Sequence, residues 1–332
     1  MKKLALALVS LAGAALGRAH PGHEALATVP APAVASTVSI TVEGGVRIIR
    51  ANGVPDHPTG PFPGRGNPNR IAPQRHEFRV TTTPAVAARP TPIGMNVFGG
   101  ALNGVVFDPP AAEWWRDDRS SGWQFEALGG GRNLGIDAEH AHVQPTGAYH
   151  YHGLPAALLA RLTDGAPRLT LVGWAGDGFP IYGPWIPRDA ADPQSPLARA
   201  KSSYRLKTAE RASGPGGKPD GAFTADWKYA AGTGDLDECN GRTGPTPEFP
   251  QGTYYYVLTE DFPFVPRQWR GTPDASFVKR DGPGGGPPGG PGGAGKKKKR
   301  GPQECGARWG GRGSPLLSRQ VRRSLDPFHP PK

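Results

Sequence analysis

The alternation of apolar and polar residues gives the first structural signal. Val38, Ile40 and Val42 fall on one face, Gly44-Gly45 interrupts, and Val46, Ile48 and Ile49 resume. Strand side chains alternate faces, so the segment reads as a β-hairpin. His76-Glu-Phe-Arg-Val-Thr-Thr-Thr is a further strand, rich in β-formers. Residues 93–107 read as two short strands joined near Asn103-Gly104, and 168–174, 178–182 and 253–259 as more strands. A short helix is expected to open at Pro109-Pro110 and run towards Trp115. The clearest helix pattern runs from Leu154 to Leu162 and stops at Asp164-Gly165. Many short strands with one or two short helices and long Pro/Gly loops predict a mainly β domain over 36–278. An antiparallel sandwich or a barrel-like sheet fits.

Composition narrows the choice. Of 332 residues, 49 are Gly and 39 Pro, which excludes a long-helix bundle because both break helices. Two Cys exclude a disulfide-rich scaffold and any multi-cysteine metal site.

The net charge of +11 is unevenly placed. Residues 279–332 carry 13 Lys/Arg against 3 Asp/Glu, whereas 20–278 carry 23 against 25. The domain therefore has no basic excess, and no specific nucleic-acid partner is expected. The tail from Lys279 is Gly/Pro-rich and expected to be disordered; its charge suits an anionic surface. Met1–Lys3 is basic, Leu4 to Leu16 is apolar, and small residues follow at Ala15, Gly17 and Ala19. That is the layout of a signal peptide over 1–19, followed by a flexible Ala/Pro-rich lead-in over 20–35. A secreted or periplasmic location follows, with no transmembrane segment.

The candidate chemistry lies in Glu139-His140-Ala-His142-Val-Gln-Pro145-Thr-Gly147-Ala-Tyr149-His150-Tyr151-His152. Four of the nine His fall in thirteen positions. Pro145-Thr146-Gly147 reads as a three-residue hairpin loop with Gly at the left-handed place. Closing the hairpin there pairs Gln144 with Ala148, His142 with His150, and His140 with His152. All four imidazoles then share one face, with Tyr149 and Tyr151 on the other. Paired Cβ atoms lie roughly 4.5–5.5 Å apart, so imidazoles on them can reach one ion, and an all-nitrogen set suits Cu or Zn. The competing reading is a polar sheet face whose His residues hydrogen-bond to their neighbours. His57, in a Pro-rich loop, is a candidate fifth nitrogen. Asp177, in a Gly-Asp-Gly turn, is a candidate for orienting an imidazole or a plain turn residue. The acidic run Asp235-Leu-Asp237-Glu238 is a weaker Ca²⁺ candidate.

At this motif the chain resembles the YHYH family, named for Tyr149-His150-Tyr151-His152. The resemblance extends to Asn52-Gly-Val-Pro-Asp-His57-Pro, to Leu102-Asn103-Gly-Val with Phe107-Asp108-Pro, to Asp177-Gly-Phe-Pro-Ile-Tyr182-Gly, and to Asp237-x-Cys239-Asn-Gly-Arg242. It covers about 50–275 and implies a secreted or periplasmic, mostly β protein; it implies no particular activity. Family relatives carry Tyr-His-Tyr in a second copy of the motif. Here that copy is Pro250-Gln-Gly-Thr-Tyr-Tyr-Tyr-Val257, with Tyr255 in place of His150 and Val257 in place of His152. If both are hairpins with equivalent turns, one keeps imidazoles and the other packs aromatics. Gln268 stands where the family would place a Cys, so Cys239 lacks an obvious partner other than Cys305.

The leading expectation is an extracytoplasmic metal-binding protein with one divalent-metal site at His140, His142, His150 and His152, either a metalloenzyme of unknown substrate or a binding protein, with a small-molecule or polymer ligand. A non-catalytic binding or structural module anchored by its basic tail is the alternative. A metal-free hydrolase using His150 or His152 as general base ranks last, because no nucleophile is visible.

Overall fold

The hairpin in residues 38–49 forms where the alternation puts it. Strand β1 (Val38–Glu43) turns at Gly44 and Gly45, both at positive φ, into β2 (Val46–Ala51). The computed structural model describes residues 27–279. The segment 1–19, the first part of the lead-in, and the tail from Arg280, including Cys305, lie outside the described residues.

The next strands are β3 (His76–Thr81), β4 (Thr91–Pro92), β5 (Gly99–Ala101), β6 (Val106–Phe107), β7 (Ala141–Val143), β8 (Tyr149–Tyr151), β9 (Leu171–Ala175) and β10 (Pro180–Tyr182). They are followed by β11 (Trp185–Pro187), β12 (Leu197–Arg199), β13 (Tyr204–Leu206), β14 (Trp227–Tyr229), β15 (Gly241–Thr246), β16 (Phe249–Val257) and β17 (Gln268–Trp269). The helix α1 (Ala156–Thr163) ends on Asp164 at left-handed φ, with Gly165 after it. The helix expected from Pro109 does not form. Trp114 is extended and bridges to Gln124, leaving only a 3-10 turn at Trp115–Asp117.

The molecule is mainly β and layered like a sandwich, with no closed barrel among the described residues. An eight-stranded sheet runs in the order β15-β16-β10-β9-β5-β6-β8-β7, and β1-β2-β3 forms a second sheet. The smaller sheet covers the centre of the larger. Ile49 and Phe78 lie over Gly100, where a Cβ would stand 3.8 Å from the Ile49 Cδ1. Ile49, Phe78 and Val80 join Phe98, Val106 and Phe277 in the main core. Burying each such side chain contributes roughly 1.5–3 kcal/mol. No helix among the described residues is long and apolar enough to cross a membrane.

The strand order of the large sheet is a palindrome of topology. At its centre β5 and β9 pair antiparallel through Gly100 and Trp174. Outward on each side comes an antiparallel neighbour, then a parallel one, then an antiparallel edge: β6, β8 and β7 on one side, β10, β16 and β15 on the other. The turns repeat as well. Asn103 accepts from the Val105 N–H and Asp177 from the Phe179 N–H, each before a positive-φ Gly. One β-unit has therefore been built twice, and the Tyr-His-Tyr echo is its most legible trace. The hairpin turns differ: β7 and β8 join through residues 145–147, whereas β15 and β16 extend to a Thr246–Phe249 pair. Gly252, the counterpart of Gly147, keeps its positive φ inside β16.

Candidate metal centre

The register of β7 and β8 is Ala141 with Tyr151, His142 with His150, and Val143 with Tyr149, as the loop arithmetic predicts. The Gln144 N–H donates to the Ala148 carbonyl and closes the turn. Gly147 is required there on two counts. Its φ is 86°, and a Cβ would lie 2.5 Å from that of Ala72. Tyr149 and Tyr151 point into the core, where the Tyr149 hydroxyl donates to the Asp137 Oδ2 at 2.8 Å. His150 and His152 are buried on the opposite face, and His142 is half-buried.

His142, His150 and His152 form an equilateral triangle, with all three ring-centroid separations 4.7 Å. Their potential ligand atoms lie within 4.8 Å of one another. Each Nδ1 faces a backbone carbonyl: Leu134 for His142 at 2.9 Å, Ala148 for His150 at 3.2 Å and Pro109 for His152 at 3.2 Å. A carbonyl only accepts, so in each ring the proton resides on Nδ1 and the lone pair on Nε2. The His152 Nε2 is buried with no hydrogen-bond partner among the described residues. Burial holds all three imidazoles below their usual pKa, and His150 and His152 lie well below it because repulsion from their histidine neighbours adds to burial. Three neutral rings with fixed tautomers are the form in which imidazole binds a metal. A tetrahedral ion with 2.0–2.1 Å bonds separates its nitrogens by about 3.4 Å, so an ion held by this triad would require its ligand atoms to close in slightly.

The support behind the triad is charged. The Pro109 carbonyl also accepts from Arg267 Nη1 at 2.8 Å, and Arg267 Nη2 donates to both oxygens of the buried Glu126. Asp108, next along the chain, is 1% exposed. Its Oδ2 accepts from Gln144 and from Lys279, and its charge acts on His142.

His140 does not join the other three. Its φ is 52°, which places it in the turn before β7 rather than on the strand. There its N–H donates to the Asp137 carbonyl and its own carbonyl accepts from the His152 N–H, while its Nδ1 faces the Leu154 carbonyl. The backbone pairing with His152 holds, but a left-handed residue turns its side chain off the face. His57 lies across the sheet from the triad. Its Nδ1 faces the Pro58 carbonyl, and its Nε2 accepts from the Tyr151 hydroxyl at 2.6 Å. Asp177 belongs to the second unit, where it accepts from the Tyr256 hydroxyl and the Gly271 N–H and meets no imidazole among the described residues. Asp235 and Asp237 accept from backbone N–H groups, as turn residues do. The Cys239 thiol is fully buried and burial pushes it up to about 12, which makes it a poor ligand. The Gln268 amide donates to the Glu238 carbonyl beside it.

A family model described as YHYH protein matches residues 77–271, more than half of the chain. The chain belongs to the YHYH family. The match takes in both β-units and all three clustered imidazoles. No curated protein and no solved structure matches the chain. In this YHYH protein the tetrapeptide divides its labour by strand geometry: the tyrosines lock the hairpin to the core and the histidines face the candidate centre.

Three supporting residues escape a motif reading: Asp137, Glu126 and Arg267. Asp137 had a usable signal. Asp237 stands at the same place in the second unit, accepting from the N–H groups of Cys239 and Gly241 as Asp137 does from Glu139 and Ala141. The pair is offset by 100 positions and the tyrosine echo by 105, because the second hairpin is five residues longer, so only a gapped extension of the echo reaches it. Arg267 and Glu126 are 141 positions apart, and no local pattern links them.

Proposed function

We propose that this chain is an extracytoplasmic metal-binding protein whose single ion is held by the Nε2 atoms of His142, His150 and His152. The observation that carries the reading is the triangle of imidazoles with every Nδ1 committed to a backbone carbonyl. Without an ion, the buried lone pair of His152 costs free energy with no return. An all-imidazole set of three favours Zn²⁺ or Cu²⁺ over Ca²⁺ or Mg²⁺, which take oxygen ligands.

Three protein ligands leave a coordination position open, the arrangement of catalytic rather than structural zinc sites. A bound ion there supplies a Lewis-acid centre. The chain's own contribution is positioning. Pro109, Ala148 and Leu134 fix the rings, and Arg267 and Glu126 hold Pro109 from behind. Asp108 places a buried carboxylate beside the centre. The N-terminal leader pattern supports export, after which the ion would be acquired outside the cytoplasm.

X-ray absorption on the full chain loaded with Zn²⁺ tests the reading. Three imidazole nitrogens at 2.0–2.1 Å are expected. A first shell without imidazole scattering would refute it.

A further inference from the structure

Beside the hairpin, between β3, β6 and the segment 276–279, lies a cavity of about 110 Å³. Phe78, Val97, Val106 and Phe277 give it apolar walls, and His76 and Asp108 also line it. Both polar residues are at least nine-tenths buried, at 9% and 1% exposure. Both also carry unmet hydrogen-bonding capacity. Neither ring nitrogen of His76 nor the Asp108 Oδ1 has a partner among the described residues. Native proteins rarely leave buried polar atoms unpaired, and two such groups on one cavity point to an occupant.

The chemistry of the walls defines that occupant. Lys279 and Gln144 already satisfy the Asp108 Oδ2, and Lys279 balances its charge, so no second cation is needed. The free Oδ1 only accepts and requires a donor. A neutral His76 offers one N–H and one lone pair, and burial lowers its pKa to about 4, so it stays neutral. The occupant must therefore donate, accept, and bring an apolar body. The volume is below the ~150 Å³ that admits benzene, so the part of the occupant inside it is about five heavy atoms. We propose that this cavity binds a small neutral molecule with a donor and an acceptor on neighbouring atoms and a short apolar body, of which a primary carboxamide is the simplest. The site shares Asp108 with the surroundings of the imidazole triad, but its own polar groups owe nothing to an ion.

Propionamide is a suitable probe. Titrated into the full chain and followed by NMR of the histidine ring nitrogens, it is expected to shift the His76 signals with saturable, millimolar or tighter binding. His76→Phe keeps the stacking on Phe78 and removes both nitrogens. Val97→Phe fills the space from a half-buried position. Each should weaken binding at least tenfold while metal uptake by the triad stays unchanged. Three results would overturn the inference: no saturable shift, which leaves a cavity filled by water; equal binding to His76→Phe; or entry of xenon with exclusion of propionamide, which marks a dry void. None of these bears on the metal reading.

Discussion

His140 and Asn240 occupy the same position in two copies of one turn. Their φ values are 52° and 54°. Each N–H donates to the carbonyl of an aspartate three residues earlier, Asp137 or Asp237. Each carbonyl accepts from the residue across the hairpin, His152 or Val257. The position is therefore one of backbone geometry, and Asn tolerates left-handed φ better than most residues. His140→Asn should keep the turn and alter unfolding free energy by about 1 kcal/mol, the lost contact to Leu154 included. Metal uptake should match the parent. Elemental analysis of the variant checks this, and a fall comparable to that of His150→Ala would restore His140 as a ligand.

The second prediction concerns the support behind the centre. Arg267 pairs with the buried Glu126 and shares the Pro109 carbonyl with His152. Arg267→Met leaves a buried carboxylate alone, at a cost of about 3–5 kcal/mol. It also releases an outer contact of His152, so metal affinity should fall about 10–100-fold. The double variant Arg267→Met, Glu126→Met separates the two effects. Denaturant unfolding should recover most of the stability, whereas competition against a chelator should show affinity still reduced. Recovery of both together would mean that the ion pair acts through stability alone.

Asp137 should prove the most sensitive residue of the turn. Its carboxylate accepts from the N–H groups of Gly60, Glu139 and Ala141 and from the Tyr149 hydroxyl. Asp137→Ala leaves several buried donors unpaired, each costing about 1–3 kcal/mol. The variant should be the least stable of those named and should bind metal weakly. Retention of parental stability in thermal unfolding would contradict the account of the turn.

His76 makes stability depend on pH. Its pKa is about 4 in the folded protein and 6.5 as the ordinary value. Above the higher value both states are neutral and the full stability is present. As pH falls from 6.5 towards 4 the unfolded chain takes up a proton that the folded one refuses, so stability is lost. One pKa unit corresponds to about 1.4 kcal/mol, which makes the loss about 3 kcal/mol. Urea unfolding of the parent and of His76→Phe across this range should show the difference shifting by that amount in favour of the variant. A difference independent of pH would contradict the burial argument.

The β class, the first hairpin and the register of His142 with His150 were legible because alternation and a Gly-ended loop fix them locally. The turn conformation of His140 was not, because a residue at positive φ breaks the alternation on which the face assignment rests. His57 and Asp177 were candidates by residue type, although both lie far from the motif along the chain. The sheet sends them elsewhere: His57 to the tyrosine face, and Asp177 to the equivalent tyrosine, Tyr256, of the second unit. The duplication showed only as a tyrosine echo, because the paired Asp137 and Asp237 fall out of its offset and the turn residues Asn103 and Asp177 share a hydrogen bond rather than a letter. The alternation of β1 was legible too, yet Val38, Ile40 and Val42 remain exposed, since periodicity reports a face and not what covers it.

Metal content of the full chain after loading with Zn²⁺ or Cu²⁺ and removal of excess ion decides whether the imidazole triad holds an ion. About one ion per chain is expected in the parent and little or none in His150→Ala and His152→Ala, for three imidazole ligands around one ion. Substoichiometric metal in the parent, or unchanged content in those two variants, would contradict that expectation.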